Sequence, residues 1–260
     1  MRVLPALENI FYGANLSNIL SAHKHWVLDV LAWLPYGITH FGAPFVVSAI
    51  MFIWGPPGTV PTFARAFGYM NIAGVITQML FPTSPPWYEN MYGLVPANYS
   101  VPGSPAGLAA IDKLFGIHLY TSTFTASPLV FGAFPSLHSG NATLEALFMS
   151  HVFPKLRPLF ITYMLWIWWA TMYLSHHYAV DLVGGSLCKF QSMPETIKTE
   201  LITDSRRGSR LLYRQIDVPS TPPIRQEIPL GLRLHRAWRV SRWHRLRQRP
   251  LRRIPSRTLG

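Results

Sequence analysis

An all-α, polytopic bundle of membrane helices is the fold class this sequence predicts, on three observations. Hydrophobic residues make up 49% of the chain and charged residues 13%, against about 25% charged in an ordinary soluble domain. Apolar runs of helical length recur at about 37–54, 63–81, 139–153 and 158–176. The net charge of +12 is confined to one end. Six basic residues balance six acidic ones through residue 187, while 17 basic residues face 5 acidic ones in 188–260. The two compositions divide the chain into a membrane-embedded domain, 1–187, and a basic tail, 188–260.

The neutral region comes first. Residues 3–20 carry Leu4, Leu7, Ile10, Phe11, Leu16, Ile19 and Leu20 at helix-like spacing, which fits an interfacial amphipathic helix or an ordinary packed one. The first 24 residues lack the pattern of a cleavable signal. From Val27 to Trp54 only Asp29 is charged. Pro35 and Pro44 are expected to break that run, leaving a span at about 37–54 with a re-entrant piece before it. Gly55-Pro56-Pro57-Gly58 is a turn, and a second span follows at about 63–81. Residues 82–134, rich in Pro, Gly, Tyr and Trp, read as one large connection at the membrane–water interface. A short helix at about 106–116 is expected inside it, with Ser104 as cap and Pro105 at its first position.

A hairpin of helices, 139–153 and 158–176, comes next. Its turn, Pro154-Lys155-Leu156-Arg157-Pro158, holds two of the six basic residues, which places that end in the cytosol by the positive-inside tendency. Two antiparallel crossings return the chain to the side it left, so His138 and His177 are expected together on the lumenal or exterior face. A further helix begins near Tyr178. It is expected to stop at Cys188, because only about ten apolar residues are available against the roughly 20 a span requires.

The tail carries a near-regular Arg233, Arg236, Arg239, Arg242, Arg245 ladder. It reads as disordered or as lying on anionic headgroups. Trp238 and Trp243 among the arginines would suit nucleic acid, but the neutral membrane region argues against such a partner. The single cysteine, Cys188, excludes an intramolecular disulfide.

Chemistry concentrates at Phe134-Pro135-Ser136-Leu137-His138-Ser139-Gly140 and at Ser175-His176-His177-Tyr178-Ala179-Val180-Asp181. His177 and Asp181 are four apart, within reach on one helix face. A carboxylate that holds one imidazole nitrogen protonated leaves the other free as nucleophile or base. His138 lies at a helix start that Ser136 or Ser139 can cap, and the first N–H groups of such a helix bind anions. A nucleophile, an orienting acid, a second histidine and a phosphate cradle compose a phosphoryl-transfer site. Ligand type alone would also allow a metal at His138, His177 and Asp181; none is expected.

Pro-Ser-x-His followed some forty residues later by His-x-x-x-Asp resembles the type 2 phosphatidic acid phosphatase superfamily. The longer strings Gly132–Gly140 and His176–Leu182, with Phe81-Pro82, Pro85–Glu89 and Pro96–Tyr99, resemble the fungal inositol phosphorylceramide synthases within it, over about residues 3–187. The resemblance implies a helix bundle of that superfamily's kind and transfer of phosphoinositol from phosphatidylinositol to ceramide, releasing diacylglycerol, without metal or other cofactor. It implies a Golgi membrane, lumenal catalytic residues and a small regulatory membrane subunit as partner. By position, His177 would form a phosphohistidine, Asp181 would orient it, and His138 would act as acid and then base. Ser136, Ser139 and His176 would contact the phosphate.

Two departures matter. The superfamily's phosphatases carry a basic Lys-x6-Arg-Pro motif, absent before His138, and Ser-Arg where this chain has Ala170 and Thr171. The loss of both cations is shared with sphingolipid synthases and favours transfer over hydrolysis. The family also continues past Gly184-Gly185 with further helices, which basic sequence replaces here. The expectation is a bundle lacking its last spans. The alternatives are a lipid phosphate phosphatase and an inactive truncated membrane protein.

Overall fold

The computed structural model describes residues 3–93, 95–127 and 130–192. It is helical, with no β-strand among the described residues. The helices are α1 (Val3–Tyr12), α2 (Leu16–Ala22), α3 (Trp26–Trp33), α4 (His40–Trp54), α5 (Thr59–Leu80), α6 (Pro86–Tyr92), α7 (Ala109–Phe115), α8 (Leu119–Ala126), α9 (Leu137–Val152), α10 (Arg157–Tyr173) and α11 (Ala179–Ser192). The basic tail from residue 193 onward lies outside the described residues.

The expected break at Pro35 does not occur. α3 and α4 join through a π-helical stretch, Leu34–Thr39, into one run, Trp26–Trp54, that is long and apolar enough to cross a membrane. Proline removes one helical N–H and crowds the carbonyl four residues earlier. The wider turn relieves the crowding, with the His40 N–H bonding back to the Pro35 carbonyl. The Leu31 carbonyl, left without a helical donor, accepts the Trp166 indole N–H at 3.0 Å. Pro44 also stays inside helix.

α9 is the axis of the bundle, packing on α4, α5, α10 and α11. Leu144, Phe148, Met149 and Val152 interlock with Met51 of α4 and with Phe63 and Ala66 of α5. The same helix buries Asn141, Glu145 and Ser150. It is therefore lined by protein and not by lipid on most of its surface. Polar groups at membrane depth are tolerated when they face protein. The outer faces carry the apolar surface instead: Phe45 is 79% exposed, Met79 76% and Leu80 71%. A continuous apolar exterior of that kind requires a non-aqueous neighbour.

The long connection is partly helical. Ser104 caps the turn at Ala106 through its hydroxyl, 3.1 Å from the Ala106 N–H. α7 ends at Gly116, which is left-handed at φ +65°. Two short helices, α6 and α8, were not evident from sequence. Asp112 holds the first turn of α8 by accepting the N–H groups of Tyr120 and Thr121, at 3.1 and 2.7 Å. Burial acts to raise the Asp112 pKa, and the Thr121 amide and hydroxyl, the Tyr120 amide and the neighbouring His118 together outweigh it, so the carboxyl sits below its ordinary value.

α11 corrects a second expectation. It runs on past Cys188 to Ser192, because Cys-Lys-Phe-Gln-Ser contains no helix breaker and Pro194 is the first. Its start is fixed by α1. Glu8 is fully buried, and its carboxylate accepts the N–H groups of Ala179 and Val180 at 3.2 and 3.1 Å. Leu4 packs with Ala133 and Tyr178, so α1 is a packed helix that secures α11.

Candidate active site

His138 is the second residue of α9, and His177 follows the end of α10. The antiparallel pairing of these helices brings the rings together, with His138 Nδ1 3.1 Å from His177 Nε2. Ser136 caps α9, its hydroxyl accepting the Ser139 N–H at 3.3 Å. The first amides of such a helix have no intrahelical acceptor.

The loop before α9 is tied down from three directions. Gln78 of α5 donates to the carbonyls of Gly132 and Pro135, at 3.0 and 3.1 Å. Thr83 accepts the Phe134 N–H at 3.0 Å. Ser136 N–H donates to the Asp181 carbonyl at 3.1 Å. Gly184 and Gly185 of α11 make this closeness possible. A Cβ at Gly185 would land on the Ser136 carbonyl oxygen, and one at Gly184 on the Phe134 ring. The Ser139 hydroxyl is buried and donates to the Leu182 carbonyl at 2.7 Å, beside Ser186 Oγ at 2.8 Å. It therefore serves as a joint between α9 and α11.

His177 precedes α11, so its pairing with Asp181 is made across the capping turn and not along a helix face. Asp181 Oδ2 accepts the Tyr178 N–H at 2.9 Å, the reach-back of a capping box, and lies 3.6 Å from His177 Nδ1. The Ala133 carbonyl is nearer, at 3.1 Å. A carbonyl oxygen only accepts, so Nδ1 of His177 carries the proton and Nε2 keeps its lone pair. His138 Nδ1–H then donates to that lone pair. The direct anchor of the His177 tautomer is thus Ala133, with the Asp181 carboxylate behind it.

Two residues the sequence reading missed complete the site. Tyr36, in the π-helical stretch, stacks on His138 at 4.7 Å and 23° and on His176 at 5.2 Å and 15°. The His40 ring lies 4.6 Å from that of His138. Both sit in the first membrane helix, where a tyrosine and a histidine within an otherwise apolar run were the available signal.

His176 packs between Tyr36 and Phe124. Its bond to the Pro105 carbonyl occupies one nitrogen as donor, and the buried Nε2 has no partner. With one nitrogen donating, the free one presents a lone pair. Lys24 is the basic side chain whose field reaches His176. Its ammonium donates to the Tyr173 carbonyl at 2.9 Å and lies 4.2 Å over the Tyr173 ring. Among the described residues no group of three or more His, Cys, Asp or Glu side chains has the arrangement of a metal site.

A family model described as the PAP2 superfamily matches residues 3–193. The chain is 65% identical over 185 residues to the inositol phosphorylceramide synthase catalytic subunit of Schizosaccharomyces pombe, covering 71% of this chain and 44% of that protein. It is 55% identical over 228 residues to the corresponding catalytic subunit of Saccharomyces cerevisiae, covering 86% and 57%. Among solved structures, LpxE of Aquifex aeolicus superposes with a TM-score of 0.46 at 18% identity, over 71% of this chain and 93% of that one. The chain spans about half the length of the curated relatives it matches.

Proposed function

The chain belongs to the PAP2 superfamily, and from that premise we propose that it works in sphingolipid synthesis as a transferase. It moves phosphoinositol from phosphatidylinositol to ceramide. The observation that carries this reading is the His138–His177 pair, 3.1 Å apart with the His177 tautomer set by Ala133.

His177 Nε2 attacks the phosphorus, and the bond from phosphorus to the diacylglycerol oxygen breaks. His138, protonated on both nitrogens, gives that oxygen a proton, and an inositol-phosphoryl group remains on His177. The ceramide hydroxyl then attacks phosphorus, His138 takes its proton, and the phosphorus–nitrogen bond breaks. Acid–base help of this kind is worth about 10²- to 10⁴-fold. The Asp181 carboxylate, behind the Nδ1–H, stabilises the charge that develops on the His177 ring.

Phosphorus cannot enter between nitrogens 3.1 Å apart, so substrate binding must first part the two rings. The phosphate then meets the amides at the N-terminus of α9, where Ser136 and Ser139 set the backbone, and Lys24 supplies the fixed cation. His176 Nε2 accepts from a headgroup hydroxyl. On this reading the enzyme works in the Golgi membrane, with its histidines on the lumenal side, beside a small regulatory membrane subunit. No metal is required.

Membranes containing the protein, given labelled phosphatidylinositol and ceramide, are expected to yield inositol phosphorylceramide and diacylglycerol. Release of inorganic phosphate from phosphatidic acid, without transfer to ceramide, would contradict the reading in favour of a lipid phosphatase.

A further inference from the structure

We propose that the cleft between α4, α5 and α9 holds the long-chain base of the acceptor lipid, and that Asn141 reads a hydrogen-bond donor beside its reacting hydroxyl. This rests on the transfer reading above and names the acceptor subsite within it.

The cleft has a volume of about 420 Å³ and is lined by Phe41, Phe45, Phe63 and Phe67, with His40 and Asn141. It starts at the reacting groups, because the His40 ring that borders it lies 4.6 Å from the His138 ring. It opens sideways along α4, where Phe41 is 68% and Phe45 79% exposed. An apolar chain can therefore enter from the surrounding lipid with its polar end reaching the histidines last.

Asn141 is the group that the apolar walls do not explain. It lies three residues after His138 on α9, on the same helix face. It is 7% exposed, and its Oδ1 makes no hydrogen bond. A buried acceptor left unsatisfied is costly unless a ligand completes it. What completes an amide oxygen is an N–H or O–H donor. Ceramide carries both within two carbons of its reacting hydroxyl, an amide N–H and then a second hydroxyl. The separation matches one turn of α9 between His138 and Asn141. The glycerol backbones of phosphatidylinositol and diacylglycerol carry esters at those places, which only accept. Asn141 thus favours the acceptor lipid over the diacylglycerol that has just left, and so favours forward transfer over its reversal. A site built around a substrate's N–H or O–H rejects the analogue that lacks it.

The test compares, in mixed micelles, wild type with Asn141→Leu, which keeps the volume and removes the amide, on three acceptors. The acceptors are ceramide, N-methyl ceramide and 3-deoxy ceramide. For wild type, at least one analogue is expected to lose about tenfold in kcat/KM. In the variant, ceramide is expected to fall by a similar factor, and that analogue to show no further penalty. Exchange of labelled diacylglycerol into phosphatidylinositol, which needs no ceramide, reports whether the variant is folded. Equal use of all three acceptors by wild type overturns the proposal whatever the variant does. So does an unchanged ceramide-to-analogue ratio in Asn141→Leu, and so does a loss confined to the exchange reaction. A wild-type protein that makes no inositol phosphorylceramide at all would instead overturn the transfer reading.

Discussion

Tyr36 lies flat against His138, ring centroids 4.7 Å apart and planes at 23°. The contact joins the first membrane helix to the N-terminus of α9. It exists because the π-helical widening at Pro35 carries Tyr36 toward the bundle axis, where it is buried. Its other neighbour is His176, so one ring sets two histidines.

The stack is aromatic in character, so Tyr36→Phe should keep it and Tyr36→Leu should lose it. The expected result is near-normal kcat for the phenylalanine variant and a fall of about tenfold for leucine, with the KM for phosphatidylinositol little changed. A steady-state comparison of the two variants checks this.

Glu8 secures the start of α11, and with it the turn that carries Asp181. Glu8→Ala removes a carboxylate cap from two amides. It should cost about 0.5–2 kcal/mol of stability and lower activity, although Glu8 is not among the reacting groups. Thermal unfolding in detergent beside an activity assay would reveal both effects.

At Gly185 the close approach to Ser136 leaves no room for a methyl group. Gly185→Ala should push α11 away from the loop before α9, at about 1–3 kcal/mol. Activity should fall more than stability does, because the Ser136–Asp181 backbone bond lies at that contact. An unchanged rate in this variant would argue that α11 need not hold that loop.

Asp112 supplies a pH dependence. Its folded pKa lies below the ordinary value because the Thr121 amide and hydroxyl, the Tyr120 amide and the neighbouring His118 outweigh the opposing effect of burial. A depressed carboxyl stabilises the fold fully above its unfolded pKa of about 3.9, and the contribution is lost as pH falls through the folded value. The Tm gap between wild type and Asp112→Asn should therefore be constant from about pH 5 to 8 and should narrow below about pH 4.

Lys24→Met tests the source of positive charge. The expected outcome is a raised KM for phosphatidylinositol with the ceramide KM unaffected, since only the donor lipid brings a phosphate. A matching rise in both would assign Lys24 to the scaffold.

The catalytic end of the bundle was legible because its residues lie in two short local strings. The hairpin length between them fixed that His138 and His177 would meet. A serine cap on α9, Ser136 or Ser139, followed from the same local rules, and Ser136 is the one that caps. What stayed hidden depends on contacts remote in sequence. Glu8 reaches α11 across 171 positions, and Gln78 holds a loop more than fifty residues away. Neither has a local signature beyond a polar side chain in an apolar stretch. The break expected at Pro35 failed because Trp166, from another helix, takes the carbonyl that proline orphans. Hydrophobicity did not show that α9 lies at the centre of the bundle, where Asn141 and Glu145 are buried.

The most direct measurement of the central claim is to trap the covalent intermediate. The protein, incubated with phosphatidylinositol labelled in the inositol ring and no ceramide, should acquire an acid-labile label on the peptide containing His177. Added ceramide should discharge it as inositol phosphorylceramide, and His177→Ala should never acquire it. Transfer at a normal rate by His177→Ala, or a label carried on His138 instead, would contradict the account.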